Sequence, residues 1–333
     1  MNLASLRTLI GDDIFADPDA QRFRILMSYH YWRDTNLDAF FAKHFGPPEH
    51  WPEVFADSGA FSAHTQGAEV NVDAYADWLH QWDHLFTVRA NLDVIGDPEA
   101  TWANQQRLEG RGCDVLPVFH TSEPWEWLDR YADGHDYIAL GGMVGHRGQQ
   151  KHLRRWIIEA FQRVEKRQPG KVGFHGFGLT AWPLMCDLPW RSVDSTRWLV
   201  GTQYGELHLW DADQPNGYLI ARVGDSANCY DPTVAALIRL YGGNPDVLAD
   251  RALYHRRYAV EISAVAWKMS ELWLWRRHGR RWPRLYNASS SGTEFRQANA
   301  GLRLYLACSL HDAATGVDAV RQYLHQPEEA PVS

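Results

Sequence analysis

Short apolar runs separated by longer amphipathic stretches set the rhythm of this chain. Seven runs read as strands: "RFRILMSYHYW", "EVFADSGAF", "LFTVRANLDVI" (85–95), "CDVLPVFH", "YIALGGMVG" (137–145), "KVGFHGFGLT" (171–180) and "WRSVDSTRW" (190–198). Between them, "VDAYADWLHQWDHL", "DPEATWANQQRLEGRG" and "QQKHLRRWIIEAFQRVEKRQPG" carry helical spacing, the last stopped by Pro-Gly. Strands alternating with helices predict a parallel sheet covered on both faces. This many units in about 200 residues predict an α/β fold, a (β/α)8 TIM barrel, with a C-terminal helical extension. A doubly wound fold is the alternative, but no G-x-G-x-x-G follows the first strand.

After the seventh run the pattern changes. "GELHLWDADQPNGYLIARV" predicts a hairpin with Pro-Asn-Gly near its turn. From about Asp231 onward the chain reads as helical, including "PTVAALIRLYGG", a basic segment and "EFRQANAGLRLYLACSL", the last capped at Thr293. The division expected is 1–230 for the barrel and 231–333 for a helical region that completes it. An eighth strand has the weakest signal.

Composition narrows the picture. Of 333 residues, 45% are apolar and 22% charged, an ordinary globular balance. No apolar run is long enough to span a membrane. The opening "MNLASLRTLIGDD" carries no cleavable signal pattern, so a cytoplasmic protein is expected. Cys113, Cys186, Cys229 and Cys308 are scattered, which argues against a zinc site or a disulfide framework and for free thiols. The net charge of −8 is uneven: residues 251–284 hold nine Lys/Arg against Glu261 and Glu271, so that segment is +7 and the remainder −15. Arg276, Arg277, Arg280 and Arg281, interleaved with Trp273, Trp275 and Trp282, are candidates for a nucleic-acid face. A solvated helix face, with the tryptophans turned to the barrel, is the plainer explanation.

In a barrel the chemistry sits at the C-terminal strand ends. Those ends present Asp57, Asp93, His120, Gly141-Gly142, His175 and Asp194. One polar strand end is an ordinary cap. Three aspartates at apolar strand ends favour a site. Two carboxylates suit covalent catalysis, one attacking an electrophilic carbon and one moving the proton of the leaving group. Mixed His and Asp ligands activating water on a metal are the other chemistry, through His30, His120 and His175, but the first strand lacks H-x-H. Paired glycines let a flat ligand approach the backbone.

These residues resemble the tRNA-guanine transglycosylase superfamily, including its relatives that place 7-deazaguanines in DNA. "DSGAF" is similar to the family's D-S-G-G-[FY]-Q box, with Ala60 for the second glycine and Ser62 for the glutamine. "LGGMVG" is similar to its G-G-L-A-V-G turn, and "SVDSTRW" falls where the family carries its F-D-x-x-x-P-T-R nucleophile segment. The resemblance covers about residues 24–230. It implies Asp194 as the nucleophile on C1′ and Asp57 as general acid/base, with Ser58 and Gly59 forming a turn beneath the base. It implies Asp93 on the guanine-like edge and backbone contacts from Gly141, Gly142 and Met143. Phe61 and Met143 would sandwich the base, although core packing explains Met143 equally well. His120 and His175 complete the expected substrate site, His120 standing where the family has a base-reading glutamine. The C-x-C-x-x-C…H zinc site is absent from the sequence, so no zinc or other cofactor is expected. The expected partners are a nucleic acid and a 7-deazaguanine base, with DNA favoured over tRNA and a homodimer left open. A metal-dependent barrel hydrolase and a non-catalytic nucleic-acid-binding relative are the alternatives.

Overall fold

The computed structural model describes residues 2–143, 150–281 and 301–326. Eight strands form one parallel sheet: β1 (Arg24–Ser28), β2 (Glu53–Asp57), β3 (Phe86–Arg89), β4 (Val118–His120), β5 (Tyr137–Gly141), β6 (Gly173–Gly176), β7 (Ser192–Ser195) and β10 (Arg303–Ala307). An antiparallel hairpin, β8 (Glu206–Trp210) with β9 (Tyr218–Arg222), stands apart from it. The order in the large sheet is β3-β2-β1-β10-β7-β6-β5-β4, and helices flank it. The two end strands meet only through the Ala90–Leu116 bridge, so the sheet is curled and TIM-like without a continuous ladder around it.

All seven sequence-predicted strands and the hairpin are present, and the amphipathic stretches form helices Val72–Gln81, Pro98–Gly110 and Gln150–Arg167. One expectation fails. "LRLYLA" was expected to be helical, yet Arg303–Ala307 is the strand between β7 and β1. A run this short and wholly buried fits both periods, and its strand character comes from two neighbours already waiting for a ladder partner. Residues 282–300, with Trp282 and the Thr293 cap, lie outside the described residues. Among the described residues no helix is long and apolar enough to cross a membrane. Cys113, Cys186, Cys229 and Cys308 form no disulfide, and the first three are buried.

Alternation along each strand divides the apolar side chains into two cores. Ile25, Met27, Val54, Ala56, Ile138, Leu140, Leu304 and Leu306 face the helices. Leu26, Phe55, Val88, Val118, Ala139, Tyr305 and Ala307 fill the concave side. Period two then puts Glu53 and Asp57 on the same inner face as Phe55, at opposite ends of β2.

The N-terminal end of that inner face is closed by ions. Arg24 Nε donates to Glu53 at 2.8 Å and its Nη1 to Glu271 at 2.8 Å, while Nη2 reaches Asp19 at 3.1 Å. Arg303 bridges Asp19 and Glu53 at 3.2 and 3.4 Å, and Lys268 Nζ donates to Glu271 at 2.7 Å. Three cations thus meet three carboxylates, which makes burial of the cluster tolerable. Burial pushes the Glu53 carboxyl upward, but Arg24 and Arg303 outweigh it and hold it at about 2. Burial likewise lowers the Lys268 ammonium to about 8, with Glu271 opposing. This plug leaves the C-terminal end of the strands as the open one.

Helix Arg256–Arg281 supplies Lys268 and Glu271 to the plug. Its first basic residue, Arg256, instead bonds Asp312, just past the C-terminal end of β10. Arg276 donates to the Thr8 and Leu9 carbonyls at 3.3 and 3.0 Å, and Arg277 donates to the Cys186 carbonyl at 3.2 Å over the Trp273 ring. Trp273 stacks on Trp182, and Trp275 lies under Arg24 and Arg303. Arg276 and Arg277 thus tie the helix to neighbouring backbone carbonyls, and both residues keep partial exposure. The side chains of Arg280 and Arg281 lie outside the described residues.

Candidate functional site

Asp57, the last residue of β2, points into the open end. Its Oδ2 accepts the Gly59 N–H at 2.9 Å, and Ser58 Oγ accepts the Ala60 N–H at 3.3 Å, starting helix Ala60–Thr65. Asp57 therefore caps a turn and also lies on the inner face at the C-terminal end of β2. Gly59 has φ +76°, and a Cβ there would stand 2.3 Å from Ser28 Oγ and 2.5 Å from His30 Cβ. Only glycine fits, because the turn must fold back against the end of β1.

Burial is the first cause that raises the Asp57 carboxyl to about 7; the charge of Asp93 adds to it, the Gly59 N–H opposes, and Asp194 adds a smaller push. A carboxyl that changes protonation near neutrality can both give and take a proton under ordinary conditions.

Asp93 sits in the loop after β3. Asn91 Nδ2 donates to the Thr101 carbonyl at 3.0 Å, Asn104 Nδ2 to the Leu92 carbonyl at 2.9 Å, and the Val94 N–H to Thr101 Oγ1 at 2.9 Å. These bonds pin both sides of Asp93 to helix Pro98–Gly110. Its Oδ2 lies 3.0 Å from His120 Nε2. The other ring nitrogen of His120, Nδ1, is 2.7 Å from Glu123 Oε1, and Glu123 Oε2 accepts the His120 backbone N–H at 3.1 Å. Burial alone would lower the imidazole, but the hydrogen bonds to Asp93 and Glu123 win and raise it to about 9. His120 therefore carries a proton on each nitrogen at neutral pH.

Asp194 lies on β7, buried, with Oδ1 accepting the Gly178 N–H at 2.8 Å. His175 Nε2 approaches the same oxygen at 3.3 Å, outside hydrogen-bond geometry. His175 Nδ1 meets Ser192 Oγ at 2.5 Å, and Ser192 also bonds the Tyr137 hydroxyl. Fully buried against Phe55, the His175 ring is lowered by desolvation, with Asp194 opposing. His175 is thus a buried, neutral ring beside Asp194.

A Cβ on Gly141 would stand 2.7 Å from His120 Cδ2, so Gly141 makes room for the imidazole. Gly142, at φ +72°, turns the chain beside Thr121. Met143 is 6% exposed and packs in the helix-side core, which favours the packing explanation. Phe61 is 59% exposed at the start of the segment after β2 and has room to meet a ligand. Tyr31, also 59% exposed, lies on the segment after β1, tied to Gln66 at 3.3 Å, which also bonds His30.

The site therefore gathers Asp57, Asp93, His120 and Asp194 at one end of the sheet. Sequence reasoning missed Glu123, Gly178 and Ser192. Glu123 was findable as the residue three after His120 in "HTSE"; Gly178 acts through its backbone and left no such signal. Among the described residues no group of three His, Cys, Asp or Glu side chains could hold a metal ion. Both nitrogens of His120 are committed to carboxylates, and His30 bonds Gln66 through Nε2 alone. No protein-family model and no curated protein matches the chain.

Proposed function

We propose that this chain is a base-exchanging transglycosylase, replacing guanine with a 7-deazaguanine in a nucleic acid, DNA in preference to tRNA. On this reading the curled sheet acts as a (β/α)8 barrel whose eighth strand is β10. What carries the proposal is the Asp57 carboxyl, raised to about 7 chiefly by burial, at the same strand ends as Asp194, whose Oδ1 accepts the Gly178 N–H.

Asp194 attacks C1′ of the target nucleoside while the bond to the guanine nitrogen breaks. Protonated Asp57 gives its proton to the departing base. The glycosyl ester on Asp194 holds the sugar. The incoming 7-deazaguanine loses its ring N–H proton to Asp57, its nitrogen attacks C1′, and Asp194 leaves as carboxylate. Each step moves one proton and one glycosyl bond, so the enzyme returns to its starting state. A base inside a duplex is out of reach, so the target nucleotide leaves its stack. Exposed Phe61 and Tyr31 on neighbouring segments offer stacking faces at the opening. The zinc-free cysteine pattern is the ground for favouring DNA.

The test is incorporation of labelled guanine into DNA and tRNA side by side, with capture of the covalent adduct. Wild type incorporates label, and Asp194→Asn yields no adduct and no exchange. An Asp194→Asn enzyme that exchanges normally overturns the mechanism.

A further inference from the structure

Resting on that reading, we infer that Glu123 and His120 form a positioning pair that holds Asp93 as a fixed, charged acceptor, so that the site selects planar heterocycles presenting adjacent N–H donors. The geometry is a chain of three side chains. Glu123 grips His120 twice, at Nδ1 (2.7 Å) and at the backbone N–H (3.1 Å), and its side chain is 1% exposed. The ring then aims Nε2 at Asp93 Oδ2 at 3.0 Å. Gly141, with no Cβ to collide with Cδ2, leaves this ring orientation open.

With a proton on each nitrogen and both protons given to carboxylates, His120 has no donor or acceptor left for a ligand. On this proposal the contact with the base expected of His120 is made by Asp93 instead. The work of His120 is done through Asp93, one oxygen of which is held while the other stays available to accept. A carboxylate fixed in this way rewards a ring N–H beside an exocyclic amine and penalises an acceptor in the same place, because the unpaired acceptor pair would be left without water. The charged and titratable groups around the ring are Asp93 from the loop after β3 and Glu123 from the segment after β4; the Tyr131 phenol on helix Trp125–Gly134 feels both carboxylates, and Asp57 feels Asp93.

The experiment uses the full chain with 13C-labelled histidine, with the His120 resonance identified by its loss in His120→Gln. In wild type His120 stays doubly protonated through pH 8. In Glu123→Gln, which keeps the shape and loses the charge, its midpoint falls by about one pH unit or more. In the exchange assay KM for guanine rises about tenfold, kcat stays within about twofold, and preference for guanine over hypoxanthine, which lacks the exocyclic amine, narrows. An unchanged His120 midpoint overturns the pair. So does a loss of kcat at constant KM. A wild-type enzyme that exchanges no base sinks the proposed function, while the histidine titration still decides whether Glu123 and His120 act together.

Discussion

Replacing Asp57 by Asn should stabilise the fold, increasingly so as pH rises. The carboxyl's ordinary value is 3.8 and the fold raises it to about 7. A carboxyl raised on folding favours the protonated form in the native state. Below about pH 4 it is protonated in both states and costs nothing. As pH climbs from about 4 to 7 the unfolded chain ionises freely while the native one resists, and stability is lost. The loss is about 1.7 kcal/mol at pH 5 and about 4 kcal/mol at pH 8, so the penalty grows by about 2.5 kcal/mol between them. Water reaching the half-buried side chain trims these figures. Asn removes the charge and keeps an oxygen for the Gly59 N–H, whose 2.9 Å bond starts the following turn. Urea unfolding of wild type and Asp57→Asn at pH 5, 6, 7 and 8 measures the difference directly. The variant gains on wild type at every step up to pH 7 and then levels off, while exchange activity is lost. A stability difference that does not change between pH 5 and 8 refutes the perturbed carboxyl, and with it the proton-transfer role built on it.

Two further outcomes probe the frame that holds the site. Gly59→Ala places a methyl group 2.3 Å from Ser28 Oγ at φ +76°, and should cost about 2–4 kcal/mol in thermal or urea unfolding, with activity falling because Asp57 moves with the turn. Arg24→Ala leaves Glu53 and Glu271 buried without their main cation and should cost about 3–5 kcal/mol by urea unfolding. Arg24→Ala at wild-type stability would mean that the plug is hydrated rather than sealed.

Much of this molecule can be read along the chain. Strands β1 to β7 announce themselves because each is short, apolar and bounded by turn residues or amphipathic helices, so a local pattern carries the information. The placement of Asp57, Asp93, His120 and Asp194 at one end follows from the same pattern, since parallel strands put every C-terminal end on one side. What one residue's neighbours in sequence cannot show is a partner contributed from elsewhere. β10 looks helical until β7 and β1 offer it two ladders. The carbonyl partners of Arg276 and Arg277, at Thr8, Leu9 and Cys186, are also distant in sequence. The raised Asp57 carboxyl and the doubly held His120 likewise depend on charges 36 and 27 residues away, at Asp93. Local periodicity determines elements; desolvation and ion pairing are set by whatever the folded chain brings alongside, and only tertiary structure decides that.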